Sequence, residues 1–297
     1  MTVYEVMTAR IVEMLESGTA PWRKPWVAGG PRNLVSGKAY RGLNALLLTA
    51  AGARYSSSYW LTFKQALDKG GNVRKGEKGM PVVFWRFPEP GAGNDDQAAE
   101  EGSSRGRGPI MRYSTAFNVE QCDGVEAPKQ EVRTFNPIDE AERILSEMPN
   151  CPPIRHGGSQ AFYVPSLDYV QLPSREAFLS PEYYYYTAAH ELGHATGHSS
   201  RLARPGITDG AMAFGNHAYS TEELVAEMTA AFVCGAAGLD TSSVLDNSAA
   251  YLASWIKVLK GDSRLVVTAA SAAQKAADYI LGTAAATAAE APSAAAA

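Results

Sequence analysis

The segment TAAHELGHATGHSS (187–200) places His190 and His194 four residues apart, with Glu191 beside the first. On a helix, residues four apart share a face, so two imidazoles can converge on one cation. A catalytic metal site of this kind takes a third protein ligand and keeps one position open for water. The downstream segment TEELVAEMTAAF (221–232) offers Glu222, Glu223 and Glu227. We favour Glu223 as the ligand, with Glu227 one turn on as the hydrogen-bonding partner of a ligating histidine. Ser220-x-x-Glu223 also has the form of a capping box; if Glu223 only closes the helix start, Glu227 takes its place on the metal. Glu191 has the position of a general base that takes a proton from a water on the metal and later hands it to a leaving amine. Zinc is the default ion for two histidines and a glutamate, and manganese or another divalent ion also fits. A metal can equally hold a domain together without turnover, so an HExxH metallopeptidase activity of the gluzincin type is left open.

The elements that must position these residues are legible from period and punctuation. Ser180-Pro181 is a strong helix start, and Gly197 can end that helix. A second helix spans about 221–237 and carries the acids. Upstream, 137–148 reads as a helix, and HGGSQAFYVPSLDYVQLPS as two short strands around Pro165-Ser166. DNSAAYLASWIKVLKGD and RLVVTAASAAQKAADYILG read as two further helices. His198 follows Gly197 and is expected to be a hydrogen-bonding loop residue.

The front of the chain has a different character. Residues 1–87 hold 13 Lys/Arg against 5 Asp/Glu, a net +8, while the remainder holds 14 against 26, a net −12. Helices are expected over 2–17, 42–51 and SYWLTFKQALDKGG (58–71), and strands over 80–87 and 111–121 that can pair as a hairpin. Trp22, Trp26, Tyr40 and Trp60 interleave with Arg23, Lys24, Arg32, Lys38, Arg41 and Lys64; Arg74, Lys75 and Lys78 follow on a Gly-rich loop. Single-stranded nucleic acid is held by basic grooves for phosphate and aromatic platforms for bases, so this set is the candidate binding surface. Asn33 and Asn44 are candidates for contacts to sugar or base edges.

The fold class expected is α+β in two domains: a small α+β binding domain over 1–130, with a mobile polar loop at 88–110, and a mainly helical metal domain with a small sheet over 131–283. Residues 284–297 read as a disordered Ala-rich tail. The 297 residues suffice for two domains with separate cores. No apolar run spans a membrane, and the N-terminus has neither signal-peptide nor anchor character. Cys122, Cys151 and Cys234 lack metal or disulfide spacing and suggest reduced thiols in a cytoplasmic protein.

These segments carry a resemblance. GTAPWRKPW, PRNLVSGKAYRGLNALLL, YWLTFKQALDKGGNVRKGEKGMPVVFW and YSTAFNVEQ resemble the N-terminal single-stranded-DNA-binding domain of the ArdC antirestriction family, a domain shared with TraC-type plasmid primases. HGGSQAFYVPSLDYVQLP, YYYYTAAHELGHATGHSSRL and AYSTEELVAEMTAAF resemble the zincin-like metallopeptidase domain attached to it. The HExxH pattern falls on His190, Glu191 and His194, and the EELVAE pattern on Glu222 to Glu227, without departure. The 88–110 loop departs from the family pattern in length and composition. The resemblance implies a plasmid-encoded bacterial protein that binds single-stranded DNA, with duplex bound more weakly, and guards incoming DNA against host restriction during conjugation. It leaves open an alternative in which a DNA-associated metalloprotease cleaves a restriction enzyme subunit or another DNA-bound protein.

Overall fold

The structure, a computed structural model, describes residues 1–23, 30–52, 54–86, 110–128, 137–208, 217–241 and 249–283. The expected mobile loop, save Ile110, and the Ala-rich tail lie outside these residues, as do Lys24 and Trp26 and the side chain of Arg23.

Helix α1 (Val3–Glu16) starts on a capping box in which Thr2 and Glu5 each satisfy the other's backbone N–H. It turns its Met7, Ile11 and Leu15 stripe inward. After the short strand β1 (Arg32–Asn33) comes α2 (Gly42–Gly52), whose Leu46, Leu47 and Leu48 are fully buried. The segment expected as a single third helix divides instead. β2 (Tyr59–Thr62) precedes α3 (Phe63–Asp68), because Thr62 N-caps the helix and Gln65 returns a hydrogen bond to its N–H. The aromatic residues before that cap, Tyr59 and Trp60, favour the extended form. β3 (Asn72–Val73) leads through a Gly-rich loop to β4 (Met80–Arg86), which pairs antiparallel with β5 (Ile110–Asn118) as expected. The main sheet runs β1-β2-β5-β4, with β1 parallel to β2. β6 (Cys122–Asp123) pairs with β3 in a separate ribbon.

The second half begins with α4 (Pro137–Glu147). A three-stranded sheet follows, from β7 (Ile154–His156), β8 (Phe162–Val164) and β9 (Tyr169–Leu172), in the order β7-β9-β8. The two expected strands are β8 and β9, joined through Pro165-Ser166. β7 carries Arg155 and His156 within three residues and has no strand pattern of its own. Then come α5 (Pro181–Ala195), α6 (Pro205–Thr208), α7 (His217–Ala237), α8 (Ala249–Gly261) and α9 (Leu265–Ile280).

The two halves share one core where separate cores were expected. Met7, Ile11 and the α2 leucines belong to the same buried cluster as Leu224, Met228, Val266 and Ala270 of α7 and α9. Arg41 Nη2 donates to both carboxylate oxygens of Asp278, and the Gly42 N–H donates to Gln274 Oε1 at 2.8 Å. Amphipathic α1 and apolar α2 could not bury their inward faces on a four-stranded sheet alone. They use α8 and α9 as the remaining wall. No helix among the described residues is long and apolar enough to cross a membrane.

Candidate functional site

Helix α5 starts as the sequence implies. Ser180 Oγ accepts from the Tyr183 N–H, and Pro181 occupies the first turn, where its missing N–H costs nothing. One face of the helix then presents His190 and His194, their rings 5.0 Å apart and nearly perpendicular. Helix α7 crosses against it at Gly193, where a β-carbon would stand 3.1 Å from Ala226 Cα. The close crossing brings Glu223 to the two imidazoles: Oε2 lies 3.7 Å from His190 Nε2, and Oε1 lies 3.5 Å from His194 Nε2. Ligand atoms of His190, His194 and Glu223 all lie within 4.8 Å of one another, a group able to hold one metal ion. The capping-box reading of Ser220 does not hold. α7 starts at His217, so Ser220 lies inside the helix and Glu223 is not engaged at its start. The free thiols of Cys122, Cys151 and Cys234 are no part of this group.

The surroundings orient each member. Glu222 Oε1 lies 3.5 Å from His194 Nδ1, and Arg204 Nε donates to Glu222 Oε2 at 3.0 Å. His194 Nδ1 is buried and makes no hydrogen bond of ordinary geometry, so the Glu222 carboxylate is its nearest acceptor and the group toward which a ring proton there is drawn. Glu227 is not in the converging group. It accepts from Tyr186 Oη at 2.6 Å, and its charge acts on His190. Glu191 is 8% exposed and accepts a hydrogen bond from the Tyr163 backbone N–H of β8. Arg201, itself buried, ion-pairs with Asp168 and donates to Tyr163 Oη, fixing the β8–β9 turn to the loop after α5. His198 lies in that loop with Nδ1 2.8 Å from Ser200 Oγ.

The electrostatics differ from group to group. Burial pushes the Glu191 carboxyl above the usual carboxylate range, only partly offset by the two histidines. Burial also works against charge on His190, yet hydrogen bonding to Glu223 and the charges of Glu227 and Glu191 hold its pKa above the ordinary imidazole value. Burial works against charge on half-buried Glu223 and on buried Glu222 too, but His190 and His194 lower the first, and His194 and Arg204 the second, below the usual range. Sequence reasoning missed Glu222 as the partner of His194, and it missed Arg204, Tyr163 and Gly193. Only Glu222 had a signal: as the neighbour of Glu223 it is turned about 100° round the helix, toward the far side of the same ring.

The candidate nucleic-acid residues separate into groups. Trp22 is fully buried, its indole N–H donating to Tyr251 Oη at 2.9 Å and its ring edge-on to Trp255. Trp60 is 2% exposed and packs edge-on against Tyr55. Neither offers a face to a base: an indole supplies more apolar area than most side chains, and the shared core takes both. Asn44 exchanges hydrogen bonds with the Val83 backbone at 2.7 Å each and is committed to holding α2 on β4. Asn33 organises its own turn, accepting from Val35 and Ser36 and donating to half-buried Tyr40. Arg41 is spent on Asp278, Arg32 donates to Gly37 O, and Arg74 binds Glu77 and Glu120 O. Lys38, Lys64, Lys75 and Lys78 are exposed. The aromatics left exposed are others, among them Phe84, Trp85 and Tyr113 of the β4–β5 hairpin.

Comparison with known proteins matches the two halves of the chain to different families. Residues 1–117 match the N-terminal domain of anti-restriction factor ArdC, and residues 139–272 match a zincin-like metallopeptidase family. A DNA primase TraC of Escherichia coli is 41% identical over 295 residues; the match takes in 94% of this chain, which spans only 20% of the primase. An uncharacterized protein y4eC of Sinorhizobium fredii (strain NBRC 101917 / NGR234) is 38% identical over 289 residues, covering 94% of this chain and 91% of its own. The crystal structure of antirestriction protein ArdC from plasmid R388 in its metal-free form superposes with a TM-score of 0.71 at 37% identity, covering 96% of this chain and 98% of that one. Its Mn(II)-bound form gives 0.73 at 36% identity, covering 96% and 99%. The chain belongs to the ArdC family of antirestriction proteins, with an ArdC N-terminal domain joined to a zincin-like metallopeptidase domain.

Proposed function

We propose that this chain binds single-stranded DNA through its front domain, duplex more weakly, and protects incoming plasmid DNA from host restriction during conjugation. We further propose that it holds one divalent ion on His190, His194 and Glu223. The observation that carries the reading is the end-to-end likeness to R388 ArdC, which has a Mn(II)-bound form, together with the convergence of two Nε2 atoms on one carboxylate. The donor set suits zinc or manganese. Fit to a cation is supported by the chemistry of the donor set, two imidazole Nε2 atoms facing one carboxylate, and by Glu222 standing behind His194 on the Nδ1 side of its ring.

A second reading, proteolysis of a DNA-bound protein such as a restriction subunit, is favoured by one observation: Glu191 is buried beside the ligand group with a raised pKa. A bound divalent ion would act as a Lewis acid and lower the pKa of water. Glu191 then has the basicity to accept a proton at its carboxylate and return it to a leaving amine. The Tyr163 N–H and the Arg201–Asp168 pair hold the strand beside it in place.

Conjugation of unmodified plasmid DNA into a restricting host, with wild-type protein and Glu191→Ala, tests both. Protection by the wild type that survives the substitution supports binding alone. Protection lost in a variant that still folds and binds DNA supports proteolysis. No protection by the wild type refutes the antirestriction reading.

A further inference from the structure

Between the second half of α1, the end of α2 and the loop joining β3 to β4 lies a cleft of about 720 Å³. That volume falls in the range of ligand pockets. Three separate elements contribute its cations: Arg10 from α1, Arg54 after α2 and Lys78 from the loop. Its two acids are already engaged. Glu13 is ion-paired to Arg10, and Glu77 is held by Arg74 and Gln121 at 2.9 Å each. Arg54 and Lys78 have no ion pair among the described residues, and the lining as a whole, three cations against two acids, carries a net positive charge.

The cleft is also flat in one part and firm in another. The Arg54 guanidinium lies over the Tyr55 ring, 4.9 Å from its centroid, and Tyr55 rests edge-on against buried Trp60. A planar cation on an aromatic ring is a surface on which a nucleobase can layer. The loop bearing Lys78 is braced before any ligand arrives. Gln121 Nε2 donates to Lys78 O at 3.1 Å, and Arg74 Nη2 donates to Glu120 O at 2.6 Å. Gly79 lies so close to the sheet that a β-carbon would meet Ala116 O at 2.8 Å.

We propose that this cleft seats one nucleotide of a DNA single strand, its base layered on the Arg54–Tyr55 pair and a flanking phosphate at Lys78. The proposal rests on the single-strand reading above and gives it a site. Of these residues only Lys78 belongs to the set expected from sequence, whereas Trp22 and Trp60 are excluded by burial.

The test is fluorescence anisotropy of labelled oligothymidine with the full chain: wild type, Lys78→Glu, the double variant Arg54→Ala/Tyr55→Ala, and Lys275→Glu on exposed α9 surface as control. Circular dichroism and melting establish that each is folded. The expected result is a loss of affinity of about tenfold or more for the two cleft variants, none for the control, and a salt slope shallower by about 0.7 per phosphate contact removed. Wild-type binding that survives Lys78→Glu and the double variant would overturn the cleft and leave the single-strand reading standing. Failure of the wild type to bind overturns both. If the double variant does not fold, Lys78→Glu on the exposed loop decides alone. Thymidine 5′-monophosphate binding as tightly as the oligomer would overturn the strand as the ligand.

Discussion

Gly193 of α5 and Ala226 of α7 are the point at which the two site-bearing helices touch, so closely that a β-carbon on Gly193 would stand only 3.1 Å from Ala226 Cα. The His194 and Glu223 ligand atoms, 3.5 Å apart, owe their spacing to that crossing. Gly193→Ala adds a carbon 3.1 Å from Ala226 Cα and 3.2 Å from Thr229 Cβ, and both neighbours lie on packed helix. Overpacking of this kind costs about 1–3 kcal/mol, against about 1 kcal/mol gained in helix propensity. We expect a small net loss of thermal stability and a larger loss of metal affinity, read by melting and by calorimetric titration with zinc or manganese. Unchanged metal affinity would show that the crossing does not set the ligand spacing.

Glu222 is held between a histidine ring and a guanidinium. Glu222→Ala frees His194 to rotate and to choose its tautomer, so metal affinity should fall about 10–100-fold, the usual effect of removing such a partner. Arg204→Met leaves the carboxylate buried without its counter-charge, and about 3–5 kcal/mol of stability should go with it. Calorimetry of the first variant and denaturant unfolding of the second keep the two effects apart.

Trp22 has the motif context of a base-stacking residue and the burial of a core residue. Trp22→Phe keeps an aromatic ring but leaves Tyr251 Oη without its indole donor and opens a small void beside Trp255. A loss of about 1–3 kcal/mol is expected, with affinity of the folded protein for oligothymidine unchanged. A fall in affinity at unchanged stability would return Trp22 to the binding surface.

Much of this architecture is legible in the chain because its signals are local. Ser180-Pro181, the four-residue spacing of His190 and His194 and the acidic run at 222–227 each follow from helix geometry over a few residues. The misreadings arise where partners are distant. Nothing within ten residues of Trp22 says that Tyr251 and Trp255 wait for it, and nothing near Arg41 announces Asp278. The break at Thr62 is a contest between helix pattern and strand pairing, decided by β5 more than fifty residues on. Arg204 carries no motif at all; only the fold brings it beneath Glu222.

Glu191 offers a test of the site's electrostatics in the metal-free protein. Its folded-state pKa is raised above the ordinary 4.5 because burial disfavours the carboxylate. Such a group contributes stability that is fully present below the unfolded value and is lost as pH rises through the folded value. Glu191→Gln stays neutral at every pH and keeps the shape, so it does not suffer that loss. The metal-free variant should therefore match the wild type below about pH 4.5 and become the more stable of the two as pH climbs beyond it. His190 works against the trend until it loses its own proton. Its raised pKa makes a contribution that fades above the ordinary 6.5, and removing the Glu191 charge takes away part of what raises it. Glu222 and Glu223, with lowered values, contribute stability present above 4.5 and lost as pH falls through their folded values, in wild type and variant alike. The difference between the two melting curves consequently reports Glu191 together with its coupling to His190, His194 and Glu223. A variant less stable than the wild type at neutral pH would mean that the carboxylate is held by favourable contacts, and the general-base assignment would lose its physical footing.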